Sequence, residues 1–143
     1  MKIYGIGTDI ANISRIKKSL KNKKFIERLF HKNEIEKCSK VTNVASCYAK
    51  RFAAKEAFSK AVGLGMSKGI NFKEITVHNI KSGKPKIKLI WNTNKVVHKI
   101  LKKKKIDIFL SLSDDKPFAV ATVVISIWIK IRLLVLLKKI SKL

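Results

Sequence analysis

Acidic side chains are scarce in this sequence. Nine Asp and Glu stand against 33 Lys and Arg in 143 residues, a formal net charge of +24. No carboxylate-rich calcium loop can be read from so few acids. Histidine and cysteine are scarcer still, at three and two. His31, His78 and His98 form no ligand cluster, and Cys38 and Cys47 lack the CxxC spacing of a zinc site. With no secretory leader legible at the start, the two cysteines read as free thiols in a reducing cytoplasm. No apolar run is long enough to span a bilayer, since Lys130 and Arg132 break the longest one.

A hydrophobic content of 46% argues against disorder, and the length suits one domain with a single core. The charge points first to nucleic acid. Yet the basic residues are mostly lysine, spread throughout beside abundant isoleucine, a pairing expected of drift in an AT-rich genome. Phe52, Phe58, Phe72 and Phe118 fall in periodic or alternating segments and read as core rather than as stacking platforms. No RNA-recognition, KH or zinc-finger signature is present. A basic RNA- or ribosome-binding protein therefore stands as the alternative reading.

The acids that remain are informative by position. Around Arg51-Phe52-Ala53-Ala54-Lys55-Glu56-Ala57-Phe58-Ser59-Lys60-Ala61, Ala49, Phe52, Ala53, Glu56, Ala57 and Lys60 share one helical stripe. A carboxylate among alanines and phenylalanine needs a partner, because desolvating it alone is costly. The simpler partner is Lys60 at i,i+4. The sharper one is a hard cation, with Lys60 one turn away to meet an anion, and that requires a second acid. The start of the chain offers Asp9. Lys2-Ile3-Tyr4-Gly5-Ile6 alternates like a strand, and Gly5 and Gly7 interrupt it just before Asp9. Asn12 or Ser14 then caps a helix. Asp9 is expected at a strand end or strand-to-helix turn, where it either caps the helix or ligates a cation. Two acids on separate elements suit Mg²⁺, which is held by one or two carboxylates plus waters and phosphates.

These blocks resemble the signatures of the holo-[acyl-carrier-protein] synthases, the small trimeric type of 4'-phosphopantetheinyl transferase. The matching strings are Gly5-Ile6-Gly7-Thr8-Asp9-Ile10 with Arg15-Ile16, and Lys50-Arg51-Phe52-Ala53-Ala54-Lys55-Glu56-Ala57 with Lys60-Ala61. Gly63-Leu64-Gly65, Ser82-Gly83-Lys84-Pro85 and Leu110-Ser111-Leu112-Ser113-Asp114 follow in matching order. The resemblance implies transfer of 4'-phosphopantetheine from coenzyme A to a serine of apo-acyl carrier protein, releasing adenosine 3',5'-bisphosphate, in fatty acid biosynthesis. It implies Asp9 and Glu56 as Mg²⁺ ligands and Lys60 as a diphosphate contact. It also implies Gly83, Lys84 and Pro85 near the nucleotide end of coenzyme A, Arg15 as a contact to the carrier, and a cytoplasmic homotrimer. The general base stays open between Glu56 and a metal-bound water. Phe109 stands where the family usually has histidine, which raises the further alternative of a degenerate transferase of low activity.

The expected layout is a single α+β domain over residues 1–126, with early helices packed on a mainly antiparallel sheet. Strands are expected at 2–8, 72–80, 85–91, 107–113 and 117–126. Helices are expected at 12–20, 24–31, 33–39, 44–62 and 93–104. A hairpin turn is expected at Asp114-Asp115-Lys116-Pro117. Residues 127–143 form an apolar and basic extension, more readily an interface cover or a frayed end than a membrane contact.

Overall fold

A computed structural model describes residues 1–65, 68–102 and 105–128. Strand β1 (Lys2–Asn12) leads into three short helices, α1 (Ile13–Ser19), α2 (Lys23–Leu29) and α3 (Lys32–Ser39), and then the long α4 (Val44–Val62). A 3₁₀ turn at Phe72–Glu74 precedes β2 (Ile75–Asn79) and β3 (Pro85–Leu89). Helix α5 (Trp91–Ile100) follows, and β4 (Ile106–Asp115) and β5 (Phe118–Ile127) close the chain. The three-stranded sheet has the order β1-β5-β4, β2 and β3 form a two-stranded ribbon, and every registered pair is antiparallel. The α+β arrangement read from the sequence is the observed one. Among the described residues, no helix is long and apolar enough to cross a membrane.

Helix α4 is the centre of the molecule. Its Ala49, Ala53, Ala57 and Ala61 are buried against Ala119, Ala121, Val123 and Ile125 of β5 and against the inner face of β1. Small side chains on both surfaces bring the helix unusually close to β1. A methyl group on Gly5 would lie 2.0 Å from the Ala61 carbonyl oxygen, and one on Gly7 would lie 1.9 Å from that of Ala57. The glycines that looked like strand breakers are thus the seat of the helix, and β1 continues through them to Asn12. Asp9 consequently sits within the strand and not at its end. Its neighbour Asn12 is the cap of α1, its side chain accepting from the Arg15 backbone N–H.

Other expectations are corrected. Cys38 and Cys47 are not free thiols but joined in a disulfide, because the turn between α3 and α4 folds back and brings their Cα atoms to 5.6 Å. The late strands run on through Asp114 and Asp115, leaving Lys116-Pro117 as a two-residue turn. Phe118 is 43% exposed, since it belongs to the sheet face that α4 does not cover. The fifth helix stops at Ile100, capped at Leu101, and does not run on into the lysine run as expected; the 127–143 extension beyond Trp128 falls outside the described residues.

One buried ion pair had no signal in the sequence. Lys55, the residue before Glu56 on α4 and fully buried, donates to Glu34 Oε2 at 2.7 Å and to the Phe72 carbonyl at 2.8 Å. Glu34 also accepts the backbone N–H groups of His31 and Val77. The pair ties α3, α4 and β2 together, with both Glu34 oxygens accepting hydrogen bonds and the Lys55 ammonium donating two and standing 5.2 Å over the Phe30 ring.

Candidate active site

Alternation along β1 sends Gly5, Gly7, Asp9 and Ala11 toward α4, and the glycine seat fixes how far the strand lies from the helix. Asp9 is therefore held beside the turn of α4 that carries Glu56 and Lys60. The Lys60 ammonium donates to Asp9 Oδ1 at 2.8 Å and to the Thr8 carbonyl at 3.0 Å. The i,i+4 pair of Glu56 with Lys60 is not the one formed, for Lys60 reaches across to the strand. Glu56 is half-buried on the same face. Burial first, and the neighbouring Asp9 charge second, push its carboxyl pKa up, while Lys60 opposes them. Two oxygen-donor carboxylates thus converge on one spot, reached from solvent at Lys60, whose side chain is 54% exposed. Among the described residues no group of three or more His, Cys, Asp or Glu could hold a metal. A two-carboxylate donor set with room for water and phosphate is the kind that suits Mg²⁺.

The Ser82–Pro85 turn lies elsewhere, between β2 and β3. Gly83 adopts φ +85°, the left-handed region that glycine enters without cost, and Asn79 Nδ2 donates to its carbonyl at 2.7 Å. Gly83 and Pro85 line a groove of about 420 Å³ with Lys50, Arg51, Asn79 and Asp114. Lys84 and Pro85 face a second groove with Phe109 and Asp107. Lys50 and Arg51 were legible only as the opening of the helix signature, with no role assigned to them. Arg51 is 5% exposed, and its Nε has no partner among the described residues. Lys50 donates to Asp114 Oδ1 at 2.7 Å, and the Ser46 hydroxyl donates to Asp114 Oδ2. Both hydrogen bonds hold the Asp114 carboxyl below its usual range. Arg15 stands exposed on α1 beside Lys17 and Lys18, away from these grooves. Among the described residues no hydrogen bond or ion pair joins the turn or Arg15 to the Asp9–Glu56–Lys60 cluster.

The profile of the 4'-phosphopantetheinyl transferase superfamily matches residues 5–123, which contain all of these groups except the tail. The chain belongs to that superfamily. A holo-[acyl-carrier-protein] synthase of Pelagibacter ubique is 51% identical over 125 residues, spanning 87% of this chain and 98% of the relative. The crystal structure of the synthase from Neisseria meningitidis superposes with a TM-score of 0.79 at 33% identity, covering 87% of this chain and 99% of the other. The Bacillus anthracis synthase, solved in complex with CoA (3',5'-ADP), is 39% identical with a TM-score of 0.70, over 86% and 96% of the two chains. As a phosphopantetheinyl transferase, the chain has its two signature acids converging where the fold presents an open face.

Proposed function

We propose that this chain is a Mg²⁺-dependent holo-[acyl-carrier-protein] synthase. It would move 4'-phosphopantetheine from coenzyme A to a serine of apo-acyl carrier protein, for fatty acid biosynthesis. The observation that carries the reading is the convergence of Asp9, Glu56 and Lys60 from two elements in a chain so poor in acids. Asp9 and Glu56 would hold the ion, which when bound supplies charge neutralisation at the pyrophosphate oxygens.

The serine oxygen attacks the β-phosphorus and forms the new P–O bond. The bond from that phosphorus to the bridging oxygen breaks, and the bridging oxygen leaves on adenosine 3',5'-bisphosphate. The serine proton passes to Glu56 or to a water at the site. Lys60 meets the negative diphosphate, exchanging its contact with Asp9 for one with phosphate oxygen. The basic groove of Lys50, Arg51, Gly83 and Pro85 suits the nucleotide phosphate of coenzyme A, and the unpartnered Arg51 Nε offers a buried donor to it. Lys84 flanks that turn. Phe109 can neither donate nor accept a proton, so the histidine function usual at that position is absent from this site. Arg15 with Lys17 and Lys18 suits an acidic carrier.

A homotrimer is supported by the outer face of the three-stranded sheet. There Ile6, Val124 and Phe109 lie in one cross-strand row and Ile10 and Val120 in another. Ile6 is 61% and Ile10 58% exposed in the single chain, an apolar face that association would cover. The domain itself would be residues 1–126, with 127–143 an extension. Intact-mass spectrometry of an apo-carrier incubated with the chain, coenzyme A and Mg²⁺ tests the reaction. A gain of one phosphopantetheine is expected, and no gain from folded protein refutes it.

A further inference from the structure

The two sulfurs of the disulfide differ in their surroundings. Cys38 is fully buried, while Cys47, 7% exposed, lines the groove that also holds Lys50 and Arg51. The bridge spans a sequence separation of nine, and within it α3 ends, the chain turns and α4 begins. Val41, Asn43 and Ser46, all inside that closed loop, form one wall of the groove. Both α4 cations of the groove are tied to the loop. The Arg51 guanidinium donates through Nη1 to the Cys47 carbonyl at 3.2 Å and stands 3.0 Å from Cys47 Sγ. The Ser46 hydroxyl donates to Asp114 Oδ2, and Asp114 Oδ1 accepts the Lys50 ammonium at 2.7 Å. The bridge therefore holds the turn from which Arg51 directly, and Lys50 through Ser46 and Asp114, take their positions.

With the groove read as the seat of the nucleotide phosphate, as proposed above, we infer that Cys38–Cys47 is a reversible redox switch on its affinity for coenzyme A. The oxidised chain is the binding form. A dithiol reductant reaches Cys47 through the groove, because Cys38 is enclosed. Its thiolate attacks Cys47 Sγ and forms a mixed disulfide; the Cys38–Cys47 bond breaks, and Cys38 Sγ leaves with the electron pair and takes a proton. The second thiol of the reductant then displaces Cys47 and closes the reductant's own disulfide. Two electrons and two protons pass to the chain in all. At the groove, the loop carrying Val41, Asn43 and Ser46 loses its covalent tie, and ordering it again opposes binding. The freed Cys47 sulfur, in contact with the guanidinium, is a stronger acceptor than a disulfide sulfur and competes with phosphate for Arg51. The coupling is reciprocal, so a ligand that prefers the oxidised form protects the disulfide from reduction.

Adenosine 3',5'-bisphosphate is the probe, because it lacks the thiol of coenzyme A and cannot exchange with the disulfide. Its binding to the full chain is measured by calorimetry in Mg²⁺-free buffer, without reductant and with excess dithiothreitol. Reduction should weaken binding about tenfold or more, the worth of one charge-assisted hydrogen bond, with the circular dichroism spectrum retained. The double variant Cys38→Ser with Cys47→Ser should bind as weakly as the reduced chain and ignore dithiothreitol. Saturating probe should also slow reduction, read as the rate at which iodoacetamide labels the cysteines. Equal affinity of the two redox forms, reduction at an unchanged rate under saturating probe, or unfolding on reduction would each overturn the switch and leave the transfer reading standing. So would full labelling of both cysteines in chain purified without reductant. Absence of binding to either form would overturn the nucleotide-phosphate reading of the groove and the switch together.

Discussion

Gly7→Ala tests the seat that sets the distance between β1 and α4. The added methyl would lie 1.9 Å from the Ala57 carbonyl oxygen, 2.7 Å from the Ala61 nitrogen and 3.0 Å from the Ala57 carbonyl carbon. All three are backbone atoms of a helix buried at its Ala53, Ala57 and Ala61 positions, so no side chain can swing aside. Helix and strand must separate, which places the cost at or above the upper end of the usual 1–3 kcal/mol for overpacking. Loss of glycine's freedom in the unfolded chain returns about 0.4–1 kcal/mol. A net loss of about 2–3 kcal/mol remains, from a total of about 5–15 kcal/mol for a domain. For a chain of this size that corresponds to a fall of about 10 °C in Tm, measured by circular dichroism. The same separation moves Asp9 from Glu56 and Lys60, and a displacement of about 1 Å can cost about 100-fold in rate. Gly63→Ala is the contrast. It has φ +80° but open space around it, so only about 1–2 kcal/mol of left-handed strain applies, with no loss of site geometry. A Gly7→Ala chain that melted with the wild type and kept its activity would refute the close-seat argument.

Removing one partner of the buried pair by Glu34→Gln should destabilise the fold by about 3–5 kcal/mol, read by urea denaturation, because Lys55 is left buried without its counter-charge. Burial pushes the Lys55 pKa down to about 8 from 10.5, against the pull of Glu34. Between these values the unfolded chain binds more protons than the folded one, so the wild-type contribution from Lys55 should rise with pH across that window. Glu56 runs the other way. Its folded pKa is raised above the ordinary 4.5, so just above that pH the folded chain holds more protons and metal-free stability should fall as pH rises. The Tm increment given by Mg²⁺ should grow over the same range, since the ion requires the ionised carboxylate; an increment independent of pH would remove Glu56 from the ligand set. Lys60→Ala should lower kcat/KM with coenzyme A while leaving Tm within about 2 °C, because the exposed ion pair with Asp9 contributes little to stability.

The sequence reads well where one element carries the information. Periodicity over 44–62 gave the long helix, and alternation near the ends of the chain gave the strands. The scarcity of acids picked Asp9 and Glu56 out of 143 residues. Contacts between distant elements were less legible. Gly5 and Gly7 interrupted a strand pattern, and nothing local said that a helix carbonyl would occupy the space they leave. Lys55 looked like one lysine among many, because its partners Glu34 and the Phe72 carbonyl lie 21 and 17 residues away. The disulfide depended on a turn between two helices that spacing alone does not determine. Arg51 gained meaning only when the fold laid the Ser82–Pro85 turn across from it. Phe118 alternated like a core residue, yet its face of the sheet is left open by the single chain.

The most direct test of the central claim compares the wild-type chain with Glu56→Gln, which keeps the side-chain shape and removes the charge. Both are incubated with coenzyme A and apo-acyl carrier protein, with Mg²⁺ or with EDTA, and the carrier is weighed intact. The two-carboxylate account predicts one added phosphopantetheine for the wild type with Mg²⁺, none with EDTA, and none for a folded Glu56→Gln chain under either condition. Equal conversion by the variant would contradict it.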